Sequence, residues 1–131
     1  MVASDANLRD FRMDLDMSPD WKYQLVYQFP FHDGDLEQFH NVRELEDRLI
    51  EATADDLIAE VDGHDAGSGT MNIFLMTNAP HDAARRLQPI VRASAANHAR
   101  GGHRAAYRAF DEDEYHLLWP DDGEGPPFTL M

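Results

Sequence analysis

Leu57–Thr77, LIAEVDGHDAGSGTMNIFLMT, is the stretch whose reading decides the fold. Two apolar runs, Leu57–Val61 and Met71–Met76, flank a polar, glycine-rich turn that holds Gly63, Gly67 and Gly69. In the second run Met71, Ile73 and Leu75 fall on one pleat face, and Phe74 and Met76 on the other. A strand apolar on both faces belongs in the middle of a sheet. The glycines admit positive φ and let the chain reverse. The expectation is a β-hairpin with a long polar tip.

Working outward, Trp21–Phe31 alternates with period two. Trp21, Tyr23, Leu25, Tyr27, Phe29 and Phe31 share one face, and Lys22, Gln24, Val26, Gln28 and Pro30 the other. Such alternation predicts a strand with one face packed under helices and one face wetter. His32-Asp33-Gly34-Asp35 breaks that strand and opens a helix. Asp33 or Asp35 serves as N-cap, and with Asp35 in that role Gln38 sits at N3 of a capping box. Leu36, Phe39, Val42, Leu45 and Leu49 recur at helical spacing.

Beyond the hairpin, Pro80 suits a first helical position and Asp82 the first turn of a second helix. Ala84, Leu87, Val91 and Ala95 make its apolar stripe. Pro89 interrupts the backbone bonding without breaking the stripe, so one kinked helix is expected, stopped by Gly101-Gly102. His103–Phe110 reads as a fourth strand. Its polar alternation, with Arg104 and Arg108 on one face, suits a sheet edge. Tyr115–Trp119 is a further short strand or a bulged continuation. The organisation expected is a leader over 1–20, one α+β domain over 21–119, and an extended tail over 120–131.

Bulk composition narrows the function classes. The chain of 131 residues carries 25 acidic and 11 basic side chains, a net charge of −14. Nucleic acid is excluded as a partner by repulsion, whereas a basic protein would be attracted. No apolar run reaches the ~20 residues of a membrane helix. With no cysteine there are no disulfides and no thiolate chemistry, which fits a cytoplasmic protein.

The element order β-α-β-β-α-β resembles the ferredoxin-like split βαβ fold. That resemblance implies an antiparallel sheet of order 4-1-3-2 with two helices on one face. Val61-Asp62-Gly63-His64-Asp65-Ala66-Gly67-Ser68-Gly69, followed by Asn72-Ile73-Phe74, resembles a hairpin of small bacterial proteins of a poorly characterised family. It implies the same fold and no particular activity.

In this topology the loop after the first strand, the hairpin tip and the loop before the fourth strand share one rim of the sheet. The rim gathers His32, Asp33 and Asp35 with Asp62, His64, Asp65 and Ser68, and adds His98, Arg100 and His103. The first and second strands end roughly 10 Å apart at ~4.8 Å per strand, a gap that loop side chains can close. Imidazoles beside carboxylates suit acid–base work or a divalent metal. His64, Asp65 and His32 are therefore the catalytic and metal-ligating candidates. Asp33, Asp62, His64, Asp65, Ser68, Asn72 and His103 are candidates for ligand or partner contacts.

The competing explanation is complete: loop aspartates cap helices and hold turns, and no His pair has helical ligand spacing. No metal and no cofactor is expected. Gly67-Ser68-Gly69 lacks the lysine and the following helix of a phosphate loop. The reading that results is a non-catalytic acidic protein-binding module, such as a bacterial inhibitor or immunity-type protein, able to dimerise through the fourth strand. Its alternatives are a small enzyme or metal protein acting at the rim, and a ligand sensor using the open sheet face around Gln24, Val26 and Gln28.

Overall fold

The computed structural model describes residues 21–54, 58–67, 69–98 and 102–120. The expected leader and the expected tail after residue 120 lie outside the described residues. The elements run in the order β1 (Tyr23–Pro30), α1 (Leu36–Thr53), β2 (Ala59–Gly67), β3 (Thr70–Thr77), α2 (Pro80–Ala93), α3 (Ala95–His98), β4 (Arg104–Ala109) and β5 (His116–Trp119). The fold is α+β, with an open, antiparallel five-stranded sheet ordered β2-β3-β1-β4-β5. It differs from the expected four-strand order by β5, which takes the edge that β4 was expected to hold.

β1 lies between β3 and β4, with Tyr27 opposite Ile73 on one side and Ala105 on the other. Leu25, Tyr27 and Phe29 are fully buried in one core with Val42, Leu45 and Leu49 of α1, Leu87 and Val91 of α2, and Ala96 of α3. The aromatic face of β1 is thus the helix face, as its period-two pattern required. Each of these leucine and valine side chains contributes about 2 kcal/mol by leaving water. Val26 and Ala106 on the opposite face form a smaller cluster, packed by Phe74, Tyr115 and Leu117.

Four expectations need correction. First, the hairpin has no long polar tip. β2 continues to Gly67, opposite Thr70, so His64 and Asp65 are strand residues. The register slips once, between Val61 and Gly63, leaving Asp62 as a bulge. Gly63 takes φ +145° there, which a glycine tolerates, and an edge strand accepts polar residues that a central strand would reject.

Second, Asp35 is the N-cap of α1, its carboxylate accepting from the Gln38 backbone N–H at 3.1 Å, but Gln38 does not close a capping box. Its buried amide instead donates to the carbonyls of Pro30 and Ala96, both at 3.3 Å, and so ties α1 to β1 and α3. Leu36, in the first turn, is 69% exposed and drops out of the apolar stripe.

Third, the second helix does not run on to Gly101. Pro89 stays within α2, but Ser94 turns extended at ψ 153°. The Ser94 hydroxyl donates to the Val91 carbonyl at 2.7 Å and accepts from the Asn97 N–H at 3.3 Å, ending one helix and starting the next. The buried stripe of α2 is Ala83, Leu87 and Val91. Fourth, β4 is internal, so it has no free edge with which to pair a second copy; the open edges among the described residues are β2 and β5.

Candidate functional site

The backbone of the expected rim is present. Pro30 and Gly67 both pair with Thr70, Gln28 pairs with Arg104 at the start of β4, and the Phe31 N–H donates to the Gly69 carbonyl at 2.9 Å. The end of β1, the β2–β3 turn and the approach to β4 therefore meet at one end of the sheet. Among the described residues, the side chains expected to act together there do not converge.

His64 and Asp65 are consecutive in a strand, so they point to opposite faces. His64 turns toward α1: its Nδ1 lies 3.0 Å from Glu46 Oε1, and its ring meets Phe39 edge-on at 6.4 Å. Arg43 completes that contact, its Nε 3.2 Å from the same buried carboxylate oxygen. Asp65 turns to the other face and accepts from Asn72 Nδ2 at 2.8 Å. It begins a polar row, Asp65, Asn72, Gln28 and Arg104, that crosses four strands in register. Asn72 Oδ1 is buried in this row without a hydrogen-bond partner among the described residues.

Asp35 is used in capping α1, His32 and Asp33 are exposed in the turn before it, and Asp62 is the exposed bulge residue. Ser68, Arg100 and the side chain of His98 lie outside the described residues. Among the described residues no three His, Asp or Glu side chains are placed to hold a metal ion.

His103 is 7% exposed and belongs to the core. Its ring stacks on Trp119 at 6.0 Å and 12°, and tilts against Tyr27 and Phe29. The neutral ring that donates from Nδ1 satisfies both neighbours: Asn97 Oδ1 accepts at 2.5 Å, and the Gln88 amide donates to Nε2 at 3.2 Å. Burial, and secondarily the positive charge of Arg92, pushes the imidazole pKa down to about 4. A second proton would have to face the Gln88 donor. Burial likewise pushes up the Tyr27 hydroxyl, which has no hydrogen-bond partner among the described residues.

Above His103 lies the feature that the rim hypothesis missed. A groove of about 870 Å³ runs between α2 and β5. Its helix wall carries His81, Arg85, Gln88 and Arg92, and Ala84, Pro89, Ala93, Leu118 and Trp119 supply its apolar surface. Among the described residues no carboxylate lines it. The groove follows from the fifth strand. Two helices packed 8–10 Å apart cover about four strands at ~4.8 Å each, so a fifth projects past the helix layer. A bulge at Leu118, between Leu117 and Trp119, puts Leu118 with Trp119 against the helix-side core. Arg92 sits over the Trp119 ring at 5.4 Å.

At its His81 end the groove adjoins a smaller one of about 530 Å³, where His81 and His116 both pack on Tyr107. There Glu112 accepts from the Ala109 N–H at 2.9 Å and lies 3.1 Å from His116 Nε2; the backbone bond is the main cause that holds its carboxyl below the usual range. The signal for the larger groove was in the sequence. His81, Arg85, Gln88 and Arg92 recur at helical spacing on one face of α2, next to its apolar stripe.

The opposite edge has the opposite sign. β2 exposes Glu60, Asp62 and Asp65 and contains no lysine or arginine. α1, which packs on it, exposes Glu37, Glu44, Asp47 and Glu51 against Arg43 and Arg48. The chain matches no protein-family model, no curated protein and no solved structure.

Proposed function

We propose that the protein is a non-catalytic protein-binding module whose acidic side, α1 with β2, meets a basic partner in the manner of an inhibitor or immunity-type protein. One observation carries the reading: a sheet edge whose exposed charges are all carboxylates lies beside a helix with four more. Such a field raises the encounter rate with a cationic protein and disfavours wrong partners. The separate engagements of His64 with Glu46, Asp65 with Asn72 and His103 with Asn97 support the non-catalytic part. We read β1–β4 with α1 and α2 as a ferredoxin-like unit extended by β5, and the Val61–Gly69 hairpin as that of the small bacterial proteins it resembles. The adjacency of β2, β3, β1 and β4 supports this.

The test is capture on the immobilised full chain at low salt, with Glu44→Lys/Asp47→Lys/Glu60→Lys as the comparison. The expected outcome is a basic protein held by the parent chain, released as salt rises, and absent from the variant. Retention of the same protein by the variant, or capture of none, overturns the reading.

A further inference from the structure

We propose that the trench between α2 and β5 is a second binding site, for an extended peptide segment in which acidic side chains alternate with aliphatic ones along the trench. The inference goes beyond the acidic side and does not depend on it. Three observations converge.

The first is shape. From His81 to Arg92 the helix wall rises about 17 Å at 1.5 Å per residue, the length of about five extended residues. The second is the neighbouring strand. β5 is the sheet edge, HLLW; apart from the bulge at Leu118 it carries no lysine, arginine, carboxylate or proline to discourage pairing. Among the described residues it pairs with β4 alone. An incoming segment that lies along β5 takes the strand conformation and turns every second side chain into the trench.

The third is chemistry. In a chain of net charge −14, this wall holds Arg85, Arg92 and His81 and, among the described residues, no acid. Arg85 is 2.6 Å from Asp82, but both side chains are largely exposed, and a ligand carboxylate displaces so weak a pair readily. Along α2 Gln88 and Pro89 lie between the two arginines, and Leu118 lines the β5 wall. A carboxylate at each end and an aliphatic side chain between them match that order. A basic segment is repelled by the same wall.

Trp119 lines the trench and reports on it. The other tryptophan, Trp21, belongs to the acidic side, its indole donating to Glu60 at 3.3 Å. In the full chain carrying Trp21→Phe, Trp119 emission is followed during titration with a synthetic Glu-Ser-Val-Ser repeat, the Glu–Val peptide, whose extended form alternates Glu and Val along one face; the Lys–Val peptide is the matching Lys-Ser-Val-Ser repeat. A Lys–Val peptide and a Glu–Val peptide with methylated main-chain nitrogens serve as comparisons. The expected result is a saturable shift with Glu–Val only. Arg85→Glu/Arg92→Glu should weaken that binding about tenfold or more and admit Lys–Val instead.

Equal binding of Lys–Val to the parent chain, undiminished binding of the methylated peptide, or no saturable shift overturns the proposal. Glu–Val binding that survives the double reversal does the same. Glu44→Lys/Asp47→Lys/Glu60→Lys should leave the titration unchanged, so the fate of this site is read separately from that of the acidic side.

Discussion

Edge strand β2 lies beneath a helix, and edge strand β5 borders an open trench. At β2 the helix comes close enough for Glu46 to reach His64 at 3.0 Å, and the outward residues are carboxylates. At β5 the helix stands off, and the facing residues are arginines, an imidazole and an indole. An edge strand gives a seam against a helix on one side and a groove on the other. What differs is the number of strands that two helices can cover.

The comparison breaks most visibly under acid. His103, beneath the β5 side, is held neutral with its pKa near 4, below the ordinary 6.5. An unfolded chain takes up that proton as pH falls through 6.5, and the native state refuses it until about 4. The stability owed to neutral His103 is therefore complete above 6.5 and lost between 6.5 and 4, by an amount on the order of 3 kcal/mol. Urea unfolding across that window, with His103→Gln as reference, measures it; the variant should lose this component of the slope and keep that of the carboxylates.

Trp119→Ala should cost somewhat less, about 2–3 kcal/mol, since the ring is only half-buried. It also uncovers His103, so the imidazole titration followed by NMR should move up toward its ordinary range. An unmoved titration would mean that the indole is not what shields it.

On the β2 side a double-mutant cycle of Glu46→Gln and His64→Gln should give a coupling of about 1 kcal/mol, because the carboxylate is buried but the imidazole is partly exposed. A coupling near zero would remove the seam as a distinguishing feature of that edge. The smallest effect is expected at the trench rim: Arg85→Ala should change thermal stability by less than about 0.5 kcal/mol, as an exposed pair does. That near-neutral result is what makes Arg85 suitable for binding tests.

Periodicity made the architecture legible. The odd-numbered aromatics of β1 and the double-faced run of β3 could be read along the chain, whereas Asp35 is one of two candidate caps and a fifth strand one of two readings of Tyr115–Trp119, and the structure selects both. The hairpin tip could not be read, because glycines that permit a turn equally permit a bulge, and Gly63 is used for the latter. The rim elements share one end of the sheet, while the described rim side chains take separate partners. Loop placement ignores the strand rule that sends His64 and Asp65 to opposite faces.

By itself, then, the sequence determined which residues alternate, which recur at helical spacing, and how much negative charge the surface must carry. Those are local or additive properties, fixed by side-chain order and composition. Only the tertiary structure decided that Gln38 joins β1 to α3 instead of capping α1, that β4 is internal, and that Trp119 roofs His103 beside Arg92. Each depends on contacts between segments far apart in the chain. Their partners are chosen by how two helices fit on five strands, and no local pattern encodes that.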